Sequence, residues 1–287
     1  MGNKTETKKP GKIGILYHPY MEGRALDMAR RISQKIETSG IENWTCSAWE
    51  EERARSLASG SSLIICIGGD GTTLRAARAA AIHAVPVLSI NMGKLGFLTE
   101  VEASEALGKL DVYLHGDSIR RDERAMLKST IMRHGAAKEE FHALNDVLLA
   151  RGALPRTIQV KAKINGEDFT SYRGDGILIS TATGSTGYAL SLGGPILHPQ
   201  SRDLLMKAVS PHLSLSTAVV LPPDTVVTLE LLSELKSVVS MDGQIDRELR
   251  KGDQVVVQIS HLKTCFLRQN PPSSFYETLL KKLSFKV

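Results

Sequence analysis

Cysteine is scarce in this sequence: among 287 residues only Cys46, Cys66 and Cys265 carry a thiol. The three are scattered, odd in number and form no CxxC pair, which argues against a structural zinc site and against a disulfide framework. A reducing, cytoplasmic setting is expected. Cys66 sits inside an apolar run and reads as a small core residue. No run reaches the about 18 apolar residues of a membrane helix, so no membrane association is expected. Residues 1–12 lack the apolar stretch of a secretory signal and read as a flexible polar arm. A basic face is missing too. The net charge of +5 lies at the ends: residues 1–12 carry four Lys against one Glu, residues 271–287 three Lys against one Glu, and the 258 residues between balance to zero. A nucleic-acid binder concentrates positive charge on a folded face, so no nucleic-acid partner is expected. What remains is an ordinary globular composition, 42% hydrophobic and 23% charged, long enough for two domains or one large one.

The first 115 residues alternate strand and helix patterns. Residues 12–17 and the continuous apolar run 63–67 read as buried strands, the latter as a central parallel strand covered on both faces. Leu26, Ala29, Ile32 and Ile36 repeat at helical spacing, with Gly40 as a stop. Residues 73–84 read as an Ala-rich helix, 85–90 as a strand and 104–115 as a helix. Such alternation implies right-handed crossovers and a parallel sheet. Beyond Ile119 the texture becomes β: residues 157–164 alternate with period two, and Asn165-Gly166 supplies a hairpin turn. Further turns are expected at Asp242-Gly243 and at residues 251–253, more strand at 221–223 and 226–232, and helices near 185–192 and 200–209. A last helix is expected at 275–283. The domain reading is a flexible arm 1–12, an α/β domain 13–118, a mainly-β domain 119–265, and a tail 266–287 returning to the first domain.

Gly68-Gly69-Asp70-Gly71-Thr72 follows the central apolar strand and opens the Ala-rich helix. Glycines let backbone approach a ligand closely, a helix start favours phosphate, and the carboxyl ends of parallel strands are where open α/β sheets bind ligands. Asp70 is the informative residue. A carboxylate inside a phosphate cradle repels its ligand unless it faces a hydroxyl nucleophile, a magnesium ion, or both. The bland alternative is a tight turn with Asp70 as the helix cap. The segment lacks the Lys of a Walker loop, and Leu74 breaks the dinucleotide fingerprint, so dehydrogenase is a poor reading. Several kinases carry GGDG, acting on NAD, diacylglycerol, sphingosine or a sugar phosphate.

Four further segments separate these. NMGKLGFLT at 91–99, Asn145-Asp146 within ALNDV, DGILISTATGSTGY at 175–188 and GGPILHP at 193–199 resemble, in order and approximate spacing, the motifs of the NAD kinase family; Asp242-Gly243-Gln244 extends the match. Two positions depart: Ala182 stands for a usual proline and Gly187 for a usual alanine. The chemistry agrees independently. Asn145 can donate and accept, Asp146 accepts from hydroxyls, the hydroxyls of Ser180, Thr181, Thr183, Ser185 and Thr186 can adapt to phosphate or adenine, and Tyr188 can pack on a ring.

The resemblance implies an α/β first domain with a parallel sheet and a mainly-β second domain, as in NAD and diacylglycerol kinases. It implies transfer of the ATP γ-phosphoryl group to the 2′-hydroxyl of the adenosine ribose of NAD, with Asp70 accepting the hydroxyl proton and helping to place Mg²⁺ or another divalent cation. Gly68, Gly69, Asp70, Gly71 and Thr72 would hold ribose and phosphates, with Arg75 as a further phosphate contact and Phe97 against the adenine. Asn145 and Asp146 would hold NAD. Arg156, Arg173 and Asp175 would line the site, Arg173 or Asp175 reaching a neighbouring subunit of a homodimer or homotetramer. Thr183, Ser185, Thr186, Gly187, Tyr188, Ala189, Leu190 and Ser191 would contact adenosine, and Gln244 the ligand. Polyphosphate as donor stays open. Two rival readings remain: a lipid kinase of the diacylglycerol type, and a module that senses NADP without turnover.

Overall fold

The computed structural model describes residues 11–283 except 22, 117, 155 and 213; the arm expected at 1–12 lies, but for its last two residues, outside them. The chain forms two compact units, one of Met1–Glu123 with Thr264–Val287, the other of Arg124–Lys263.

The first unit begins with β1 (Ile13–Tyr17), α1 (Arg24–Thr38), β2 (Asn43–Ser47), α2 (Glu51–Ala58), β3 (Leu63–Gly68), α3 (Asp70–Ala81), β4 (Val87–Asn91), the short β5 (Val101–Glu102) and α4 (Ala106–His115). Its strands run parallel: β1 lies between β2 and β3, and β3 pairs with β4 from Ile64–Val87 to Gly68–Asn91. All six residues of β3 are buried, as the unbroken apolar run requires of a strand covered on both faces. α1 buries Ala25, Met28, Ala29, Ile32 and Ile36, one stripe at three- and four-residue spacing, packed against Ile13, Ile15 and Ile65.

The second unit takes up the chain within β6 (Arg120–Arg133) and continues through β7 (Ala136–Ala143), β8 (Asp146–Arg151), β9 (Ile158–Ile164), β10 (Glu167–Gly174), β11 (Gly176–Ser180), a 3₁₀ turn at Gly184–Thr186, the one-turn α5 (Tyr188–Ser191), β12 (Leu204–Val209), β13 (Val219–Leu221), β14 (Val227–Leu231), β15 (Ser237–Met241), β16 (Ile245–Leu249) and the start of β17 (Gln254–Arg268). One antiparallel sheet runs β13-β12-β11-β8-β15-β16. In the other, β9 lies between β10 and β14, and β14 pairs with the first residues of β17. Val160, Leu229 and Val257 from the second sheet share one apolar core with Leu149, Ile177, Met206 and Val239 from the first. The Asn165-Gly166 turn has the expected positive φ at both positions, 52° and 88°.

Two expectations are corrected. Of residues 221–223 only Leu221 lies in a strand, β13. Residues 204–209 are strand β12, not helix. Leu, Met, Lys and Ala favour helix, but five of the six side chains are buried, and β12 is paired on both edges by β11 and β13. Burial on both faces of a central strand overrides weak local propensity. The helix expected to start near 200 has no counterpart, and the α/β unit contains a second strand-helix pair, β2 and α2, that the pattern did not reveal.

β17 re-enters the first unit, where Phe266 pairs in parallel with Val87 of β4. The chain ends, among the described residues, in α6 (Ser274–Leu283), which belongs to that unit.

Candidate active site

In the first unit the GGDGT loop joins β3 to α3. The residue at the helix cap is Gly69, whose carbonyl accepts from the N–H groups of Thr72 and Thr73 at 3.1 and 3.0 Å. Asp70 is therefore not the cap. Its carboxylate turns away from its own helix and accepts from two backbone donors of the 91–99 segment, Phe97 N–H to Oδ2 and Leu98 N–H to Oδ1, both at 2.9 Å. Gly96 makes this approach feasible, since a Cβ there would overlap Oδ1 of Asp70. The two motifs that the sequence separates by some twenty residues thus form one structure around a single carboxylate. The Thr72 hydroxyl is buried and lacks a partner among the described residues. Phe97 is half-buried, and Lys282 of α6 lies 4.1 Å from its ring centroid and 3.5 Å from Asp70 Oδ2. Arg75 is otherwise engaged: it pairs with Glu51 of α2, and its guanidinium stacks over Trp49 at 4.5 Å. Arg78 binds the same carboxylate at 3.0 Å.

In the second unit Asn145 and Asp146 occupy the entry to β8, locked from both sides. Asp242, at the β15–β16 turn, accepts from three successive amides, Leu144 to Oδ2 at 3.1 Å, Asn145 to Oδ1 at 2.7 Å and Asp146 to Oδ1 at 3.2 Å. From the other side the 180–187 loop closes in: Ser180 Oγ and Thr181 N–H donate to the Asn145 carbonyl at 3.1 and 2.8 Å, and Thr181 Oγ1 donates to the Leu144 carbonyl at 2.6 Å. Gly184 permits this closeness, because a side chain there would run into the Asn145 carbonyl. Held so firmly, Asn145 still keeps its Oδ1 buried and without a hydrogen-bond partner among the described residues. A buried unmatched acceptor costs about 1–3 kcal/mol, which a bound donor would recover.

Several hydroxyls of the Ser/Thr loop, which could have turned to phosphate or adenine, donate instead to protein carbonyls. Ser185 is fully buried, donating to the Ala182 carbonyl at 2.7 Å and accepting from Leu197 N–H at 2.9 Å, so it ties the loop to the GGPILHP segment. Thr186 Oγ1 donates to the Thr183 carbonyl at 3.3 Å, and Thr183 Oγ1 accepts from Arg124 at 3.4 Å. Ala189 is buried, Leu190 half-buried, and the outward groups are Tyr188 and Ser191. A methyl on Gly187 would lie 3.2 Å from the Gly184 carbonyl, so the family's alanine fits after a shift of a few tenths of an ångström. Gln244 is half-buried two residues past Asp242.

Arg156, Arg173 and Asp175 fall elsewhere in this unit. The pairing of β8 with β11 sets Ser180 opposite Asp146 and Gly176 opposite Ala150. At about 3.4 Å per residue, Asp175 and Arg151 sit roughly 17–20 Å from the Asn145 end of those strands. There Arg151 pairs with Asp175 at 2.8 Å, Arg173 Nε reaches Thr157 Oγ1 at 3.4 Å, and Arg156 lines a cavity of about 340 Å³ with Arg151, Leu154, Glu234 and Lys236.

Comparison with known proteins bears on both units. Residues 13–118 match the ATP-NAD kinase N-terminal domain and residues 144–269 the ATP-NAD kinase C-terminal domain. An NAD kinase of Dehalococcoides mccartyi strain CBDB1 is 40% identical over 273 residues, 95% of each chain. The chain belongs to the NAD kinase family. Another NAD kinase, from Geotalea daltonii, is 35% identical over 259 residues, 90% of each chain. In fold the chain is similar to yeast NADH kinase complexed with NADH, with a TM-score of 0.81 at 21% identity over 97% of this chain and 89% of that one. It is also similar to an NAD kinase from Archaeoglobus fulgidus in complex with ATP, with a TM-score of 0.72 at 20% identity over 93% and 98%. NAD kinase, not lipid kinase or silent sensor, is thus the activity, and the α/β plus mainly-β architecture is that of the family.

The NAD kinase fold makes Asp146 an unusual carboxylate. Burial, and secondarily the Asp242 charge, push it from 3.8 up to about 7. The unfolded chain ionises this group near pH 4, whereas the folded chain retains its proton to about 7. The stability it contributes is fully present below about pH 4 and is lost as pH rises through about 7. Asp146→Asn removes the dependence. Urea unfolding at a series of pH values should show the variant gaining on the parent between pH 4 and 7, to a plateau on the order of 2–4 kcal/mol. A difference that stays flat across that window would rule out the raised carboxyl.

Proposed function

We propose that the reaction joins the 2′-oxygen of the adenosine ribose of NAD to the γ-phosphorus of ATP, while the bond from that phosphorus to the bridging oxygen of ADP breaks and Asp70 takes the hydroxyl proton. The observation that supports this best is the Asp70 carboxylate, fixed by the Phe97 and Leu98 amides instead of capping α3. Phosphoryl transfer asks mainly for alignment and charge neutralisation, and a carboxylate held by two backbone donors is aligned before substrate arrives. In the second unit, Asn145 offers its unmatched Oδ1 to a donor on NAD, and Tyr188 and Ser191 face outward for the adenosine. The roles of Gly68, Gly69, Gly71 and Thr72 toward phosphate, and of Gln244 toward the ligand, rest on the same reading.

Mg²⁺ is the cation we assign to the nucleotide. Among the described residues no group of three His, Cys, Asp or Glu side chains could hold a metal on protein ligands alone. Magnesium commonly keeps its waters and takes one or two carboxylates together with substrate phosphates, and Asp70 supplies such an oxygen. Bound there, it would offset phosphate charge.

We also assign a homo-oligomer. Arg173 and Asp175 lie at the far end of β8 and β11 from Asn145 in their own unit, so a role in NAD binding calls for a second copy of the chain. A cytoplasmic setting fits the three thiols, of which Cys46 and Cys66 are buried, and no helix among the described residues is long and apolar enough to cross a membrane.

Purified protein given NAD, ATP and Mg²⁺, with an NADP-specific dehydrogenase as reporter, should form NADP. Binding of NAD without turnover, or transfer of label to diacylglycerol vesicles instead, would overturn the reading.

A further inference from the structure

In the first unit α6 buries none of its residues, yet its approach is fixed. Gln269 and Asn270 donate their N–H groups to Glu100 Oε1 at 2.8 and 3.2 Å, and Glu100 also pairs with the buried Arg268 at 3.1 Å. Glu100 stands two residues beyond Leu98, so one short loop fixes Asp70 through its amides and the C-terminal tail through its carboxylate. From that anchor α6 brings Lys282 to Asp70 Oδ2 at 3.5 Å and over the Phe97 ring at 4.1 Å. The Lys282 side chain is only 24% exposed and continues the half-buried stripe of Phe275, Thr278 and Leu279 on α6. Three segments distant in sequence therefore converge on one spot, contributing a carboxylate, an aromatic face and an ammonium.

The charge balance of the loop says what the ammonium is for. GGDGT puts a carboxylate where a ligand with several negative charges must sit. A helix start offsets about half a charge, less than Asp70 brings. The two arginines of α3 are both turned to Glu51 rather than to Asp70, although one carboxylate balances only one of them. Lys282 does touch Asp70.

We propose that Lys282 is a phosphate-binding residue of the GGDGT site. In the free protein its ammonium rests on Asp70 and Phe97. When ATP binds, it turns to a phosphate oxygen, leaving the Asp70 carboxylate to the ribose hydroxyl and the Phe97 face to the adenine. A lysine suits this exchange, since its four-carbon stem redirects a compact charge without moving backbone. The inference rests on the reading that GGDGT holds the reacting phosphates.

The test uses the full chain and three variants, Lys282→Gln, Lys282→Arg and Asp70→Asn, with steady-state kinetics in ATP and NAD and calorimetric titration of NAD. Losing one charge-assisted phosphate contact should lower kcat/KM for ATP about 10–100-fold in Lys282→Gln, with NAD affinity no lower than the parent's because the Phe97 face is already free, and Lys282→Arg should recover most of it. An ATP kcat/KM within twofold of the parent would overturn the proposal. A gain in rate would do so too, by identifying Lys282 as an obstruction. Equal losses toward ATP and NAD, or an Arg variant no better than Gln, would reduce α6 to a structural support. Asp70→Asn separates the underlying reading: if it too stays fully active, the loop itself is not the site of transfer.

Discussion

Asp70→Asn should lower NADP formation about 10²–10⁴-fold, the usual worth of a positioned proton acceptor. Asn matches Asp in size but differs in two respects that the geometry makes explicit. It cannot take the proton, and it presents one acceptor oxygen to two donors, the amides of Phe97 and Leu98. The variant therefore leaves one backbone N–H facing an amide nitrogen, at a cost of about 1–3 kcal/mol in local stability. That cost falls in the first unit, whereas the Asn145–Asp146 segment is fixed by Asp242 and the 180–187 loop of the second. NAD affinity measured by calorimetry should accordingly change little while turnover collapses. A variant that turns over like the parent would remove Asp70 from the chemistry. Turnover and NAD affinity falling together would make it a structural tie between two motifs.

What the sequence made legible was the part written in local pattern. The apolar run of β3 followed by GGDGT announced a strand, a turn and a helix start, and they stand where expected. Asn165-Gly166 announced a hairpin by its tolerance of positive φ. Residues 204–209 misled because helix propensity is local while strand identity there comes from neighbours on both edges. The site divides along the same line. Asn145, Asp146 and the Ser/Thr loop were singled out by motif, but the inward turn of Ser180, Thr181 and Ser185 follows from carbonyls that only the fold brings near. Asp242 read as a hairpin residue, and nothing in DGQ shows that its carboxylate gathers three amides from a segment nearly a hundred residues earlier. Arg75 looked like a phosphate contact from its place in α3; the Glu51 that claims it comes from a helix whose polar pattern gave no warning. Lys282 sat in a tail with an unremarkable basic surplus. Long-range partners decide all four, and spacing along the chain does not carry them.

The 2′-deoxyadenosine analogue of NAD should bind and never be phosphorylated. The analogue keeps the adenine, the pyrophosphate and the nicotinamide, so the contacts assigned to Asn145, Tyr188 and Ser191 remain, and affinity should fall by no more than about tenfold, the worth of one hydrogen bond. What it lacks is the nucleophile. Without a 2′-oxygen there is no bond to form to the γ-phosphorus and no proton for Asp70 to accept, so the loss is complete and cannot be restored by raising the analogue's concentration. This distinguishes it from Asp70→Asn, where the nucleophile remains and a slow residual rate is expected. The two measurements belong on one preparation: calorimetric binding of NAD and of the analogue, and transfer of label from γ-labelled ATP to each. Label on the analogue would put the chemistry at another hydroxyl, and an analogue that failed to bind would show the 2′-hydroxyl to be held as a recognition group before it is used as a nucleophile.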